Sequence, residues 1–579
     1  MDMYYTDERH TQILISLMKK HGVHRIIASP GTTNVCFIAS VQQDPYFEIY
    51  SSADERSACY MACGMAAESG EPVALSCTGA TASRNYIPGL TEAFYRKLPI
   101  LAITSGPHSG HIGQNFPQML DRTSQLKDMV RISVQITPVY AAEDEWACNL
   151  KINNALLELK RDGGGPVHIN LESIFSTDFS VKKLPDVRVI NRVTRNDADK
   201  FPSIQGKVAV FVGAHKKWND KLTEKVDKFC EQYNAVVLYD QTSNYKGNYG
   251  IMPNLIYSQK QYSSDAKKFD LLIDIGDVSG AYMDVRASSV WRVNPDGEIR
   301  DHHRTTTMVF EMEEVEFFEY YTKEGDNEKE TALYQSLRLE YENILQSIPE
   351  LPFSNVWIAQ HSRNLLPDNC VLHLGILNSL RAWNFFEIGK SICCYSNTGG
   401  FGIDGNVSSL IGASLVNSDK IYFGIVGDLA FFYDMNSIGN RHVGNNIRIM
   451  LINNGRGTEF RNYGHPASRF GDEADKFMAA AGHYGNKSKE LVKGYAEALG
   501  FLYISADSKE SFVENAKIFF DSQKKNIPIL FEVFTDSVDE SEALRIIKNL
   551  KSNASGEIKS IIKNALGEKG VSSIKKILG

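Results

Sequence analysis

The chain is punctuated by short apolar runs rich in β-branched residues. Each closes on a turn signal and is followed by a longer stretch of helical texture. Such runs suit strands buried on both faces, which belong to parallel sheets covered by helices. A parallel strand cannot rejoin its neighbour through a tight turn, so the crossover between them is obligatory. The reading is α/β, with three doubly wound parallel-sheet domains. The first, 1–180, carries RIIASPG, PVALSCTG, LPILAITSG and GGPVHINL. The second, 205–330, carries KVAVFVGAH, AVVLYDQ, DLLIDIGD and SSVWRVNPDG. The third, 350–538, carries CVLHLG, SICCYSN, IYFGIVGD, IRIMLINN, LYISA and PILFEVF. A polar linker at 179–204 and a charged helical connector, Thr322–Glu342, separate them. The end, 539–579, reads as a Lys-rich helical tail, either a solvated appendage or a docking element. No short tandem repeat is visible, and the first and third segments share texture rather than sequence.

Composition narrows the function classes. At 579 residues, 43% of them hydrophobic, the chain can build several large cores. A net charge of −8 argues against a general nucleic-acid or membrane-surface binder. The opening MDMYYTDERHTQIL is not a secretory signal, and no run of about eighteen apolar residues occurs. The nine scattered cysteines read as reduced thiols, so a cytoplasmic location is expected. Cys59 and Cys63 could share a helix face. Two neighbours without further ligands fit core packing better than zinc.

The strongest chemical signal is Gly427-Asp428-Leu429 followed by Ile452-Asn453-Asn454. One apolar strand ends on a carboxylate, and the next ends on paired amides. Adjacent strands would bring these oxygens to one place, as hard Mg²⁺ requires. Glycine before the Asp lets backbone approach a phosphate. The bland alternative is a turn Asp and a turn Asn pair. The pattern resembles the GDG…NN signature of thiamine-diphosphate enzymes, with Leu429 where a third Gly often sits. By that resemblance Asp428, the Asn454 side chain and the Arg456 carbonyl hold Mg²⁺. Gly427 and Leu429 would lie against the cofactor.

Three further stretches resemble the same family. Glu55 follows the Pro30-Gly31 turn by about 25 residues. In this family such a Glu opens a helix and trades a proton with the pyrimidine nitrogen of the cofactor. Without a cofactor, it is an ordinary acidic residue in a first helical turn. The stretch from Thr78 through CTGATASRNYIPGL resembles the lining of the pyrimidine pocket. GPHSGHIGQNFPQMLDR resembles the loop that supplies side chains near the reacting carbon, which makes His108, His111, Gln114 and Gln118 candidates; a loop His is otherwise merely solvated. The family implies a site shared between subunits, hence a homodimer or homotetramer.

Tyr395–Gly405 (YSNTGGFGIDG), LHLGILNSLRAW, GDLAFFYDMN and GPVHINL resemble the 2-succinyl-5-enolpyruvyl-6-hydroxy-3-cyclohexene-1-carboxylate synthases of menaquinone synthesis. The likeness spans about residues 5–540 and is weak in the middle. It implies that Gly402 and Ile403 meet the cofactor, with Ile403 as the apolar wedge that bends it. A plain strand-to-helix turn or a weak nucleotide loop is the alternative for GGFGIDG. The departures lie where that family uses arginines against its dicarboxylate acceptor, isochorismate. Thr32-Thr33 replace a Ser-Arg, Thr398 replaces the Arg of SNRG, and Trp383 replaces the Arg after NSL, with Arg381 close by. TSGPHSG lacks another. Each bidentate contact is worth roughly 1.5–3 kcal/mol, so their loss should abolish tight isochorismate binding.

The expected reaction is decarboxylation of a 2-oxo acid, pyruvate or 2-oxoglutarate, and transfer of the resulting enamine to a less anionic carbonyl or enone acceptor. A simple decarboxylase and an acetolactate-synthase-like flavoenzyme are the rivals in this class. Outside it stand a non-catalytic cofactor-binding protein and an NAD enzyme. The latter lacks a GxGxxG turn with a following acidic residue.

Overall fold

The computed structural model describes residues 4–322, 331–482 and 488–553. It divides into two compact units, one of residues 1–196 with 297–309, the other of 197–296 with 310–579.

The first unit holds a six-stranded sheet. Its strands are β1 (Arg25–Ala28), β2 (Glu48–Ser51), β3 (Val73–Thr78), β4 (Ile100–Gly106), β5 (Ser133–Ile136) and β6 (Val167–Glu172). They run in the order β2-β1-β3-β4-β6-β5, every pair parallel. Successive side chains of a strand point to opposite faces. Ile26, Ala74, Leu101 and Ile103 accordingly join one core with helices Arg9–Lys20 and Ala142–Glu158. Ile27, Leu75, Ile100 and Ala102 join another with helix Glu55–Ser69. Cys59 and Cys63 are buried in that second core. A Cβ at Gly89 would sit 2.6 Å from the Cys59 sulfur, so the glycine lets two helices close on each other.

The second unit carries two sheets. Five strands, β7 (Val208–Val212), β8 (Val236–Tyr239), β9 (Gly250–Ile251), β10 (Lys268–Ile275) and β11 (Arg286–Val293), pair in parallel in the order β9-β8-β7-β10-β11. The other sheet contains β12 (Val371–Leu374), β13 (Cys393–Tyr395), β14 (Tyr422–Gly427), β15 (Ile447–Asn453), β16 (Leu502–Ala506) and β17 (Ile529–Phe534). Its order is β13-β12-β14-β15-β17-β16, again all parallel. Counted within each sheet, this order and that of the first unit are the same, 2-1-3-4-6-5. The shared texture of the two segments is therefore a shared topology. One core runs through the second unit, from Ala209, Leu238 and Leu272 to Leu372, Phe423 and Phe531.

The helix Ser537–Ile547 buries Ala543, Leu544 and Ile547 in this same core. Residues 539–547 of the expected tail are thus part of the packed unit. Residues 548–553 hydrogen-bond along 259–263, and 554–579 lie outside the described residues. Among the described residues, no helix is long and apolar enough to cross a membrane.

Arg448 on β15 is a charged side chain in this core, 1% exposed. Its guanidinium donates to the carbonyls of Phe519 (2.7 Å), Asp521 (2.5 Å) and Gln523 (2.7 Å). These bonds tie the end of helix Lys509–Phe519 to the sheet. Arg448→Met keeps the apolar stem and strands three acceptors. It should destabilise the protein by about 3 kcal/mol, read as a shifted urea midpoint.

Candidate active site

β14 and β15 lie side by side, with Gly427 opposite Ile452. Asp428 opens the short helix that follows β14, and residues 454–457 turn back over it after β15. The Asp428 carboxylate is 5% exposed. It accepts the N–H groups of Leu429 (2.8 Å) and Gly455 (2.6 Å). Gly455 has φ +83°, a conformation that glycine adopts without strain. Burial pushes the Asp428 carboxyl up to about 7 despite these bonds. Among the described residues it has no Lys or Arg within ion-pair distance.

Asn454 and Arg456 complete the group. The Asn454 side-chain oxygen accepts from the Thr458 hydroxyl (2.7 Å), and the Arg456 carbonyl accepts from the Thr458 N–H (2.8 Å). The buried Glu540 carboxylate lies behind them. It accepts from the Asn355 N–H (3.0 Å) and the Thr535 hydroxyl (2.8 Å), and burial pushes it to about 7 as well. A buried carboxylate beside an amide oxygen and a carbonyl, without a cation, is an all-oxygen set that fits Mg²⁺. Gly427 leaves open space where a Cβ would stand, and Leu429 packs against Gly457. In the GGFGIDG turn, Ile403 is half-buried and its carbonyl accepts from Asn406 (2.6 Å). Gly402 faces the Asp404 carboxylate.

In the first unit, Glu55 is the first residue of helix Glu55–Ser69, which Asp54 caps by accepting from the Arg56 N–H (3.0 Å). The Glu55 carboxylate is half-buried, with the Asn85 amide at 3.5 Å. It stands near the carboxyl end of β3, where its charge and that of Arg122 both act on the buried Cys77 thiol. Pro30 is exposed in the turn after β1. A Cβ at Gly31 would lie 2.8 Å from Thr78, so the turn closes directly on the end of β3. His108 and His111 sit on the loop after β4. The His108 Nδ1 accepts from the Gly110 N–H (3.0 Å), which leaves Nε2 to carry the proton of the neutral ring. His111 stacks on Phe116 at 4.2 Å between ring centroids. Gln114 and Gln118 are exposed on the same loop, Gln118 with φ +61°.

The expected substrate residues fare differently. Trp383 is 0% exposed and belongs to the core. It is a packing residue, not a wall of the site. Thr33 is tied internally, its hydroxyl donating to the Ser105 carbonyl (2.6 Å) and sharing a hydrogen bond with Thr78 (2.5 Å). It laces the ends of three structural segments together, while Thr32 remains exposed. Thr398 is buried. Arg381 does reach a cavity, but Glu459 meets its guanidinium with two contacts (2.5 and 2.9 Å) and neutralises it.

Sequence reasoning passed over Arg122, which ends the loop that carries the two histidines. It is 3% exposed. Nε and Nη2 donate to the Asn170 side-chain oxygen (3.1 and 2.9 Å), while Nη1 is buried without an acceptor. Burial pushes its pKa down. Only glycine fits beside it, since a Cβ at Gly79 or Gly106 would collide with the guanidinium. Those two glycines, each closing a strand run, were the available signal.

Known proteins share long stretches of this sequence. Residues 9–125 match the family described as "Thiamine pyrophosphate enzyme, N-terminal TPP binding domain". The chain is 31% identical over 574 residues to the 2-succinyl-5-enolpyruvyl-6-hydroxy-3-cyclohexene-1-carboxylate synthase of Bacteroides fragilis, covering 93% of this chain and 98% of that one. The synthase of the same name from Bacteroides thetaiotaomicron is 31% identical over 573 residues, with the same coverage. That of Flavobacterium johnsoniae is 26% identical over 577 residues, covering 94% of this chain and 99% of that one. The chain belongs to the thiamine-diphosphate-dependent decarboxylases and carboligases. Among them it is similar, over nearly their whole length, to the synthases just named.

The candidate metal site has a pH signature. Asp428 and Glu540 have folded-state pKa values near 7, above their ordinary 3.8 and 4.5. Their contribution to stability is therefore full at acid pH and lost as pH rises through about 7. A Mg²⁺ ion held by Asp428 would require its ionised form. The rise in melting temperature on adding Mg²⁺ with thiamine diphosphate should be larger at pH 8 than at pH 6 (roughly one unit either side of the midpoint). An equal rise at both would contradict the assignment.

Proposed function

We propose that the enzyme decarboxylates a small 2-oxo acid, pyruvate or 2-oxoglutarate, and joins what remains of it to a carbonyl or enone acceptor other than isochorismate. When bound, thiamine diphosphate supplies a nucleophilic carbon and an electron sink for the departing carboxylate. The protein's own residues do the rest. Glu55 would share a proton with the pyrimidine nitrogen of the cofactor. Asp428, Asn454 and the Arg456 carbonyl would hold Mg²⁺, whose charge would in turn offset that of the diphosphate. His108, whose Nε2–H is left free to donate, and the exposed Gln114 and Gln118 on the same loop would contact the substrate or the carbon it is bound through.

One observation carries the choice of acceptor. The positions at which the related synthases place arginines here hold an internally bonded Thr33, a buried Thr398 and a core Trp383, and the neighbouring Arg381 is neutralised by Glu459. No bidentate clamp for isochorismate remains at those positions. Purified protein given isochorismate and 2-oxoglutarate should show at least about a hundredfold lower kcat/KM than a synthase of that family. Robust turnover would overturn the reading.

The site is completed by a second copy of the chain. Tyr60 and Met61 lie exposed on the helix that begins with Glu55, and Gly64 on the same helix faces open space. An exposed apolar face of this kind next to a functional carboxylate supports a homodimer, or a pair of dimers. Glu55→Gln should lower turnover by several orders of magnitude while cofactor binding persists, and Asp428→Asn should abolish binding of the metal. Mixed and re-annealed, the two inactive variants should regain about a quarter of wild-type activity, because half the dimers then hold one intact site. No recovery in verified heterodimers would place Glu55 and Asp428 of one chain in the same site.

A further inference from the structure

A cavity of about 570 Å³ opens in the second unit beside the proposed cofactor turn. Phe401, two residues before Ile403, forms part of its wall, with Leu377, Arg381, Lys260, Asp284 and Lys548. Lys548 comes from the far end of the chain, in the stretch expected to be a solvated tail. It caps the helix Ser537–Ile547 and is fixed there by a clasp. The buried Gln259 side chain donates to the Ile547 carbonyl (2.7 Å) and accepts from the N–H groups of Leu550 (2.8 Å) and Lys551 (3.1 Å). The Lys260 N–H donates to the Lys548 carbonyl (2.9 Å).

One cation on the cavity wall stands without a counter-charge among the described residues. Arg381 is matched by Glu459. Asp284 is matched by Arg286 (3.5 Å) and Lys267 (4.0 Å). The Lys260 ammonium lies 3.9 Å over the Tyr463 ring. Lys548 has no carboxylate within ion-pair distance and no hydrogen-bond acceptor for its ammonium among the described residues. Burial first, then the charges of Arg381 and Lys260, push its pKa down to about 8, with Glu459 opposing. An amine held in a cavity between two other cations gains most from an anion.

We propose that Lys548 binds an oxyanion, carboxylate or phosphate, that a substrate keeps through the reaction. The carboxylate lost as CO₂ is a poor fit, because a fixed cation would stabilise it before the reaction and not after. The oxyanion is then a second acidic group of the donor or an acidic group of the acceptor. The assignment of the cavity to substrate rests on the proposed function, whereas the anion site rests on the cavity and its charges.

The test is calorimetric titration of the full chain at pH 8, near the pKa of about 8, with inorganic phosphate and with glutarate, in buffers of different ionisation heat. At least one probe should bind with net proton uptake, because an anion raises the pKa of the amine. Lys548→Met should weaken binding ~10-fold or more and remove the uptake. Lys548→Arg should retain binding without uptake, since a guanidinium is already charged. Which probe binds identifies the oxyanion. Failure of both probes to bind, or equal binding by wild type and Lys548→Met, overturns the proposal. Thiamine diphosphate binding is followed separately by fluorescence quenching. Its absence alongside Lys548-dependent anion binding would refute the proposed function and leave the anion site standing.

Discussion

Asp428 is a carboxylate taken out of water with no Lys or Arg among the described residues beside it. Such a group is costly unless something positive joins it. The surrounding architecture keeps it there. β14 sets its position, β15 delivers the loop that returns over it, and Gly455 turns that loop so that a backbone N–H meets the carboxylate. Parallel pairing makes this possible, because neighbouring strands end on the same edge and their loops converge. The first unit repeats the arrangement with different residues, since β1, β3 and β4 end together and Thr33 laces those ends. The same strand order thus occurs twice, once with Asp428 at its strand ends and once with Glu55 beside them.

The strands, the α/β class and the Asp428–Asn454 pair were legible because each is local. Apolar runs of five to seven residues announce buried parallel strands, and a motif at the end of such a run inherits its position. Glu55 was legible for the same reason, through its place at a helix start. What escaped were contacts between distant segments. Nothing near Trp383 in the sequence says that it faces the core, and nothing near Arg381 says that Glu459, 78 residues on, will neutralise it. Arg122 looked like one more loop charge. Its significance depends on Gly79 and Gly106, whose missing side chains make room for it. The common topology of the first and last sheets was equally hidden, because many sequences satisfy one pattern of buried strands.

These hidden contacts bear mostly on substrate selection. The cofactor half of the site is built from backbone turns and a few oxygens, and it reads directly from motifs. The substrate half is built from charges whose worth depends on what lies opposite them. Arginine at 381 is a spent charge, whereas lysine at 548 is not.

The clasp around Gln259 joins residues 288 positions apart. Its second half is made only after 288 further residues have been translated. The middle sheet can therefore emerge and fold long before the wall that contains Lys548 exists. Contacts this distant in sequence form late, after most chain entropy has already been lost. A nascent chain could already display its folded sheets while its substrate cavity still lacked a side, so a shortened chain ending before residue 548 would retain most of the fold without the charge that completes the pocket.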